Sequence, residues 1–392
     1  MIDNITDWIE LTLRWIHIVT GAAWIGTSFY FNWLNNNVRP QEEPEPGVGG
    51  DLWSVHGGAF YRVVKYKVAP EKLPKVLHWF KWEAYFTWIS GFSLLCVAYY
   101  LSAGTMVIDN SVRALAPWEA IAIGLSVLAV GWTIYHFLCK SPLGNKPTLF
   151  AALGFVMMTG LAFGLMQLFG SRAAYIHVGA LIGTIMAGNV FFVIIPNQRV
   201  MVDDMTAGKE PEAKLGQEAS QRSLHNNYLT LPVLFIMVSN HYPMTYGHKW
   251  NWILLAGICL AGAITRHWFN LRGKGKNNVY ILPVAAAMMV GMAFTTMPKS
   301  YASHRPVEFS EVRTIIETHC VECHSASPTR AGFPIAPLGV MYDTAAQIGQ
   351  YSQRINTQVV VSGVMPLGDA HGMTQEERDI IGAWYHQGAP IQ

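Results

Sequence analysis

The chain has 392 residues, of which 51% are hydrophobic, 12% aromatic and only 13% charged, about half the charged fraction of an ordinary soluble domain. The deficit is concentrated before residue 300, which points to a membrane-embedded part followed by a soluble tail. A formal net charge of +2 gives no ground for a nucleic-acid partner, and five scattered cysteines form no disulfide framework.

The first residues hold Asp3 and Asp7 and no lysine or arginine before Arg14, so no cleavable signal peptide is expected. Apolar stretches near 11–34, 82–102, 117–138, 148–169, 175–196, 224–241, 250–270 and 279–298 suggest about eight membrane-spanning helices. Pro232 and several polar residues interrupt the sixth; proline is tolerated in such helices when neighbours satisfy the freed backbone groups. The intervening loops divide sharply by charge. Loops 35–81, 139–147, 197–223 and 270–279 carry sixteen Lys and Arg, whereas 1–7, 103–116, 170–174 and 240–250 carry three. Basic loops stay on the cytoplasmic side, so the N-terminus and the C-terminal tail are both expected in the periplasm of a bacterial inner membrane. Trp8, Trp15, Trp79, Trp82, Trp118 and Trp250 fall near the predicted boundaries, as an aromatic belt would.

Loop 35–81 is long for a connector. After the acidic, proline-rich Pro40–Pro46 it alternates over Phe60–Val68, which predicts a small cytoplasmic hairpin or subdomain. Gly57 and Gly58 read as its turn rather than as a ligand cradle.

Histidines recur through the apolar part. His17 and His177 lie toward the periplasmic side, and His136, His225 and His267 toward the cytoplasmic side, joined by Asn226 and Asn227. Aligning His17 with His177 pairs Phe31 with Phe191, and TIYHF around His136 matches ITRHWF around His267. This suggests two four-helix halves related by an axis along the membrane normal. Ionisable groups in a membrane are costly and point to function. These five are candidate catalytic residues, as ligands of a b-type haem or another metal, or as bases around an aromatic substrate. Glu83 is a further candidate, near enough to the boundary to be solvated. Trp24 and the lone Cys96, Cys139 and Cys259 read as packing residues.

The tail, residues 301–392, carries Cys320-Val321-Glu322-Cys323-His324, the attachment pattern of haem c. Each thiol can form a thioether, and the adjacent histidine then ligates the iron. Helices are expected over Phe309–Thr318, near Thr344–Ile355 and over Thr374–His386, the last opened by a Thr374/Glu377 capping box, with Trp384 and Tyr385 packing on the first. Met365, before Pro366 on the loop ahead of the last helix, suits the second axial position. Met373 and Met341 are weaker choices. The expected architecture is therefore all-α: a polytopic membrane helix bundle with a C-terminal class I cytochrome c domain.

Long strings throughout the chain add to this. RWIHIVTGAAWIGTSFYFNWL, HGGAFYRVVKY, KWEAYFTWISGF, NVFFVIIPNQRVMV, SLHNNYLTLPVLFIMVSNHYP and the tail from HCVECH through VMPLGDAHGMTQEER resemble the membrane-bound, cytochrome-c-fused urate oxidase family of bacteria. The resemblance implies oxidation of urate to 5-hydroxyisourate by a membrane-spanning domain over residues 1–300. Electrons would leave through the fused haem c to a soluble cytochrome c or terminal oxidase. It supplies no catalytic list. Two other readings stay open: a quinol:cytochrome c oxidoreductase with a b-haem in the membrane, and a tethered electron-carrier cytochrome.

Overall fold

The computed structural model describes residues 2–67, 69–70, 73–74, 76–297, 305–330, 333–368 and 371–392. A helix covers each of the eight apolar stretches. These are α1 (Ile2–Asn37), α2 (Trp82–Leu95), α3 (Pro117–Lys140), α4 (Pro147–Leu165), α5 (Ser171–Asn189), α6 (Ala213–Ser239), α7 (Asn251–Gly273) and α8 (Ile281–Thr295). The end of the last predicted stretch, residue 298, lies outside the described residues.

Among the described residues, four helical segments are long and apolar enough to cross a membrane: α3, α4, α7, and α5 with its continuation to Thr206. The count of eight rests on looser criteria. Helix α2 has 14 regular residues and α8 has 15, short of the roughly 20 that a span needs, and α6 carries a polar face over its middle.

Helix α5 is enclosed by its neighbours, with Tyr175, His177, Val178 and Ile182 all at most 2% exposed. Glycines let the helices approach. A β-carbon at Gly179 would lie 2.5 Å from Ile236 of α6, which illustrates how small residues close helix–helix contacts in membranes. Two π turns interrupt the regular winding, Cys96–Tyr100 after α2 and Val190–Ile194 after α5. Such turns re-aim side chains and recur at functional sites.

The loop between α1 and α2 holds the expected hairpin, β1 (Val48–His56) and β2 (Ala59–Tyr66), paired antiparallel. Gly57 and Gly58 have φ of 57° and 78°, the double left-handed turn that matches strand twist. The predicted strand runs to Val68, which lies outside the described residues. Arg62 bonds Asp51 at 2.7 Å and Glu45 at 2.9 Å on the exposed face.

The C-terminal part has its own apolar core around Phe309, Val312, Ile316, Ile381 and Trp384. Helix α9 (Phe309–His319), α10 (Ala345–Gln350) and α11 (Gln375–His386) match the expected positions. The middle helix is broken: α10 gives way to a short turn, Ser352–Ile355, and then to a π turn, Asn356–Val361. The Thr374/Glu377 capping box is formed, and the Phe309 and Trp384 rings lie 6.3 Å apart where α9 meets α11.

This part rests on the bundle end made by residues 105–109, by Gly170 and the first turn of α5, and by residues 246–247. These fall within three of the four lightly charged segments assigned to one side of the membrane. Val364 of the tail packs against the apolar core of the bundle.

Candidate functional site

The five histidines are held by different neighbours. His17 donates its Nδ1–H to the Thr87 carbonyl at 2.9 Å and also meets Ser90 Oγ at 3.1 Å. Its ring lies on Gly91 of α2, where a β-carbon would come within 2.8 Å. His177 is fully buried. Its Nδ1–H donates to the Ala173 carbonyl at 2.8 Å, so Nε2 of the neutral ring accepts from Tyr100 OH at 3.0 Å. Gly124 of α3 leaves room for that ring, since a β-carbon there would lie 2.6 Å from Nε2. His267 meets Tyr228 OH at 2.6 Å in an exposed position. Among the described residues, no group of three or more His, Cys, Asp and Glu could together hold a metal ion.

His136 and His225 belong to a connected polar cluster at the far end of the bundle from the C-terminal part. Its centre is Arg222 on α6, which is 2% exposed. Arg222 donates to Asn189 Oδ1 at 3.3 Å and to the His136 carbonyl at 3.2 Å, and its guanidinium lies 5.1 Å from the Tyr135 ring. Asn189 in turn donates to Asn226 Oδ1 at 2.8 Å and to Tyr135 OH at 3.0 Å. The Tyr135 hydroxyl, having accepted that bond, donates to His225 Nδ1 at 2.8 Å. Phe150 stacks on the His225 ring at 4.8 Å.

Neutral acceptors and a ring face thus hold Arg222, and among the described residues it makes no ion pair. Its Nε and the Nδ1 of His136 have no partner there. The nearest acid in sequence on its helix face, Glu218, accepts instead from Asn197 at 3.3 Å. A buried cation without a carboxylate is expensive. It creates a local positive potential that an anionic ligand would relieve.

A second cluster lies on the next face of α6. Arg266, 6% exposed, donates to Asn227 Oδ1 at 3.0 Å and has its guanidinium 3.9 Å from the Phe29 ring centre. Asn270 and Asn32 continue the chain of amides at 2.8 and 2.9 Å. Consecutive residues on a helix point about 100° apart, so Asn226 and Asn227 serve different clusters.

Sequence reasoning singled out His136, His225, Asn226 and Asn227 but missed Arg222, Tyr135, Asn189 and Arg266. Arg222 was counted among the charges of loop 197–223, whereas α6 begins at Ala213. Without it the charge asymmetry is fifteen to three, the sense unchanged. The available signal was the spacing Arg222, His225, Asn226, which puts all three on one helix face. Glu83 lies in the first turn of α2 with a buried, unpartnered Oε2.

In the C-terminal part, Cys320, Cys323 and His324 follow the end of α9. Cys320 N donates to the Ile316 carbonyl at 2.8 Å, and His324 N to the Cys320 carbonyl at 2.9 Å, which winds the motif into one turn. His324 donates Nδ1–H to the Val340 carbonyl at 2.9 Å, which leaves Nε2 of the neutral ring as its available lone pair. Met365 lies on a loop whose carbonyl accepts from Arg378 at 2.6 Å; the Val359 carbonyl accepts from the same nitrogen at 2.7 Å. Met373, by contrast, is 6% exposed and part of the apolar core.

These features define a mostly helical protein with candidate membrane spans and a buried, cationic, hydrogen-bonded cluster between its helices. The chain belongs to the family described as urate oxidase N-terminal, which matches residues 3–297 and supports a urate-related oxidoreductase. No curated protein and no solved structure matches the chain.

Proposed function

We propose that residues 1–300 form a membrane-spanning domain that oxidises urate to 5-hydroxyisourate, and that residues 301–392 form a cytochrome c domain that receives the electrons. The observation that carries the reading is a buried arginine without an ion pair, beside a tyrosine–histidine pair, inside the region matched to the urate oxidase family.

Urate is a planar anion near neutral pH. Arg222 supplies the charge and fork to hold it, Asn189 and Asn226 supply amide donors and acceptors, and Phe150 supplies a ring face. His225 Nδ1 accepts from Tyr135, so it acts as base through that hydroxyl: Tyr135 passes its proton to Nδ1 and takes one from the ring as the ring loses electrons. Urate and water give 5-hydroxyisourate, two protons and two electrons. His17 and His177, each pinned through Nδ1 to a carbonyl, are positioned for structural and proton-handling roles. His177 is engaged at both nitrogens, which favours positioning over ligation of a b-type haem. His136 and His267 flank the two arginine clusters.

The C-terminal residues fit a haem c. The Val340 bond leaves His324 Nε2 for the iron, Cys320 and Cys323 share its turn, and Met365 sits on an anchored loop. A haem held there would carry one electron at a time, and methionine ligation would raise its potential. A soluble cytochrome c or a terminal oxidase of the respiratory chain would be the next acceptor. The charge asymmetry of the loops favours a bacterial inner membrane with the cytochrome domain in the periplasm.

Anaerobic mixing of the purified chain with urate tests this. Reduction of the haem band with formation of 5-hydroxyisourate is expected. Reduction by a quinol but not by urate would sink the urate reading, and absence of covalent haem would sink the cytochrome reading.

A further inference from the structure

The loop that carries Met365 is gripped from two sides. From below, Arg378 of α11 binds the Met365 and Val359 carbonyls. From above, the loop meets the N-terminal bundle. Gly247, at the end of the short helix Pro243–Tyr246, approaches Ser362 so closely that a β-carbon at 247 would overlap the Ser362 carbonyl. Val364, partly buried, packs against the apolar core of the bundle. Gly368 closes the segment, its α-carbon region facing the Gly104 and Ile108 carbonyls at 3.7 Å from a β-carbon position. Both Gly363 and Gly368 have positive φ, 64° and 72°, so the chain turns sharply at each end and presents Val364 outward as a wedge. Ser362 itself is 1% exposed.

We propose that the bundle positions the axial methionine: contact of Gly247 with Ser362, and packing of Val364, hold the Met365 loop in its ligating conformation. The proposal rests on the reading of Met365 as an axial ligand of haem c. Its physical basis is the anchoring of a short loop at both flanks of one residue. An isolated loop samples many conformations, and fixing each residue costs backbone entropy. Here the bundle supplies a surface that fixes three of them, so ligation and domain docking are one equilibrium. Undocking would release the thioether, and loss of that ligand lowers the haem potential.

Gly247 is a clean site for a test. Its φ of −79° and ψ of −8° suit any residue, so alanine there acts mainly through the contact with Ser362, with the Pro243 carbonyl of its own turn 3.0 Å from the added carbon. In the full-length protein loaded with haem c, Gly247→Ala is expected to abolish the long-wavelength charge-transfer band of methionine-ligated ferric haem and to lower the midpoint potential. Val364→Asp, which alters no backbone contact, is expected to do the same, and Val364→Ile to retain the wild-type band. Gly154→Ala, where a β-carbon meets open space, is the control. If Gly247→Ala does not accumulate, Val364→Asp decides by the same readouts. Wild-type band and midpoint in the variants would overturn the positioning role while leaving the cytochrome reading intact. A wild-type chain with covalent haem but no methionine band would overturn the ligation by Met365 and with it the positioning role, and a wild-type chain without covalent haem would overturn the cytochrome reading as well.

Discussion

At the scale of residues, Arg222 dominates the bundle because it is buried and, among the described residues, held by neutral partners. Charge-assisted hydrogen bonds contribute about 1.5–3 kcal/mol each, and a lysine cannot reproduce the planar fork. Arg222→Lys is therefore expected to raise KM for urate by roughly tenfold to a hundredfold with a smaller change in kcat, read from steady-state kinetics. Glu377 is the counterpart in the tail. Partial burial works against its charged form, but the Thr374 amide and hydroxyl, together with His319, outweigh this and hold its carboxyl below the usual range. Because the folded pKa is depressed, the stabilisation is present above the ordinary carboxylate range and is lost as pH falls through the folded value. Thr374→Ala should cost about 1 kcal/mol and speed hydrogen exchange at the start of α11 about fivefold, while acidification should narrow the difference from wild type. The capping box was legible in sequence because its partners are three residues apart. Arg222 was harder to read, because its partners come from α3 and α5; the spacing to His225 and Asn226 marks a shared helix face but does not say that the face is buried.

At the scale of elements, small residues set the helix separations. Gly179 faces Ile236 at 2.5 Å from a β-carbon position, and the branched Ile236 side chain has little freedom to yield. Gly179→Ala should destabilise the bundle by about 1–3 kcal/mol, seen as a lower unfolding temperature in detergent. Gly183→Ala, which meets open space, should be neutral. The hairpin was readable from alternation and its Gly57–Gly58 turn, both local properties. The start of α6 was not. Its first turns, Ala213–Arg222, are polar and read as loop by hydropathy, yet they pack on the continuation of α5 and carry Arg222 inward. The middle helix of the tail was likewise read as one element, where the chain instead bends through a π turn at Asn356–Val361.

At the scale of the whole molecule, the C-terminal part sits on the bundle end formed by residues 105–109, 170–173 and 246–247, whereas the Arg222 cluster lies toward the opposite end of α3 and α6. In oriented membrane vesicles, Gly58→Cys in the hairpin turn and Gln392→Cys at the C-terminus should react with an impermeant thiol reagent from opposite sides. Reaction of both from one side would refute the charge-based topology. Local pattern alone determined the apolar helices, the hairpin, the turn of Cys320–His324 and the side-to-side charge bias, because each is encoded within a few turns of chain. Only the tertiary structure decided which polar groups meet. Hydrogen bonds among Tyr135, Asn189, Arg222 and His225 depend on the rotation and depth of three helices, and the grip on the Met365 loop depends on two parts of the chain more than a hundred residues apart in sequence.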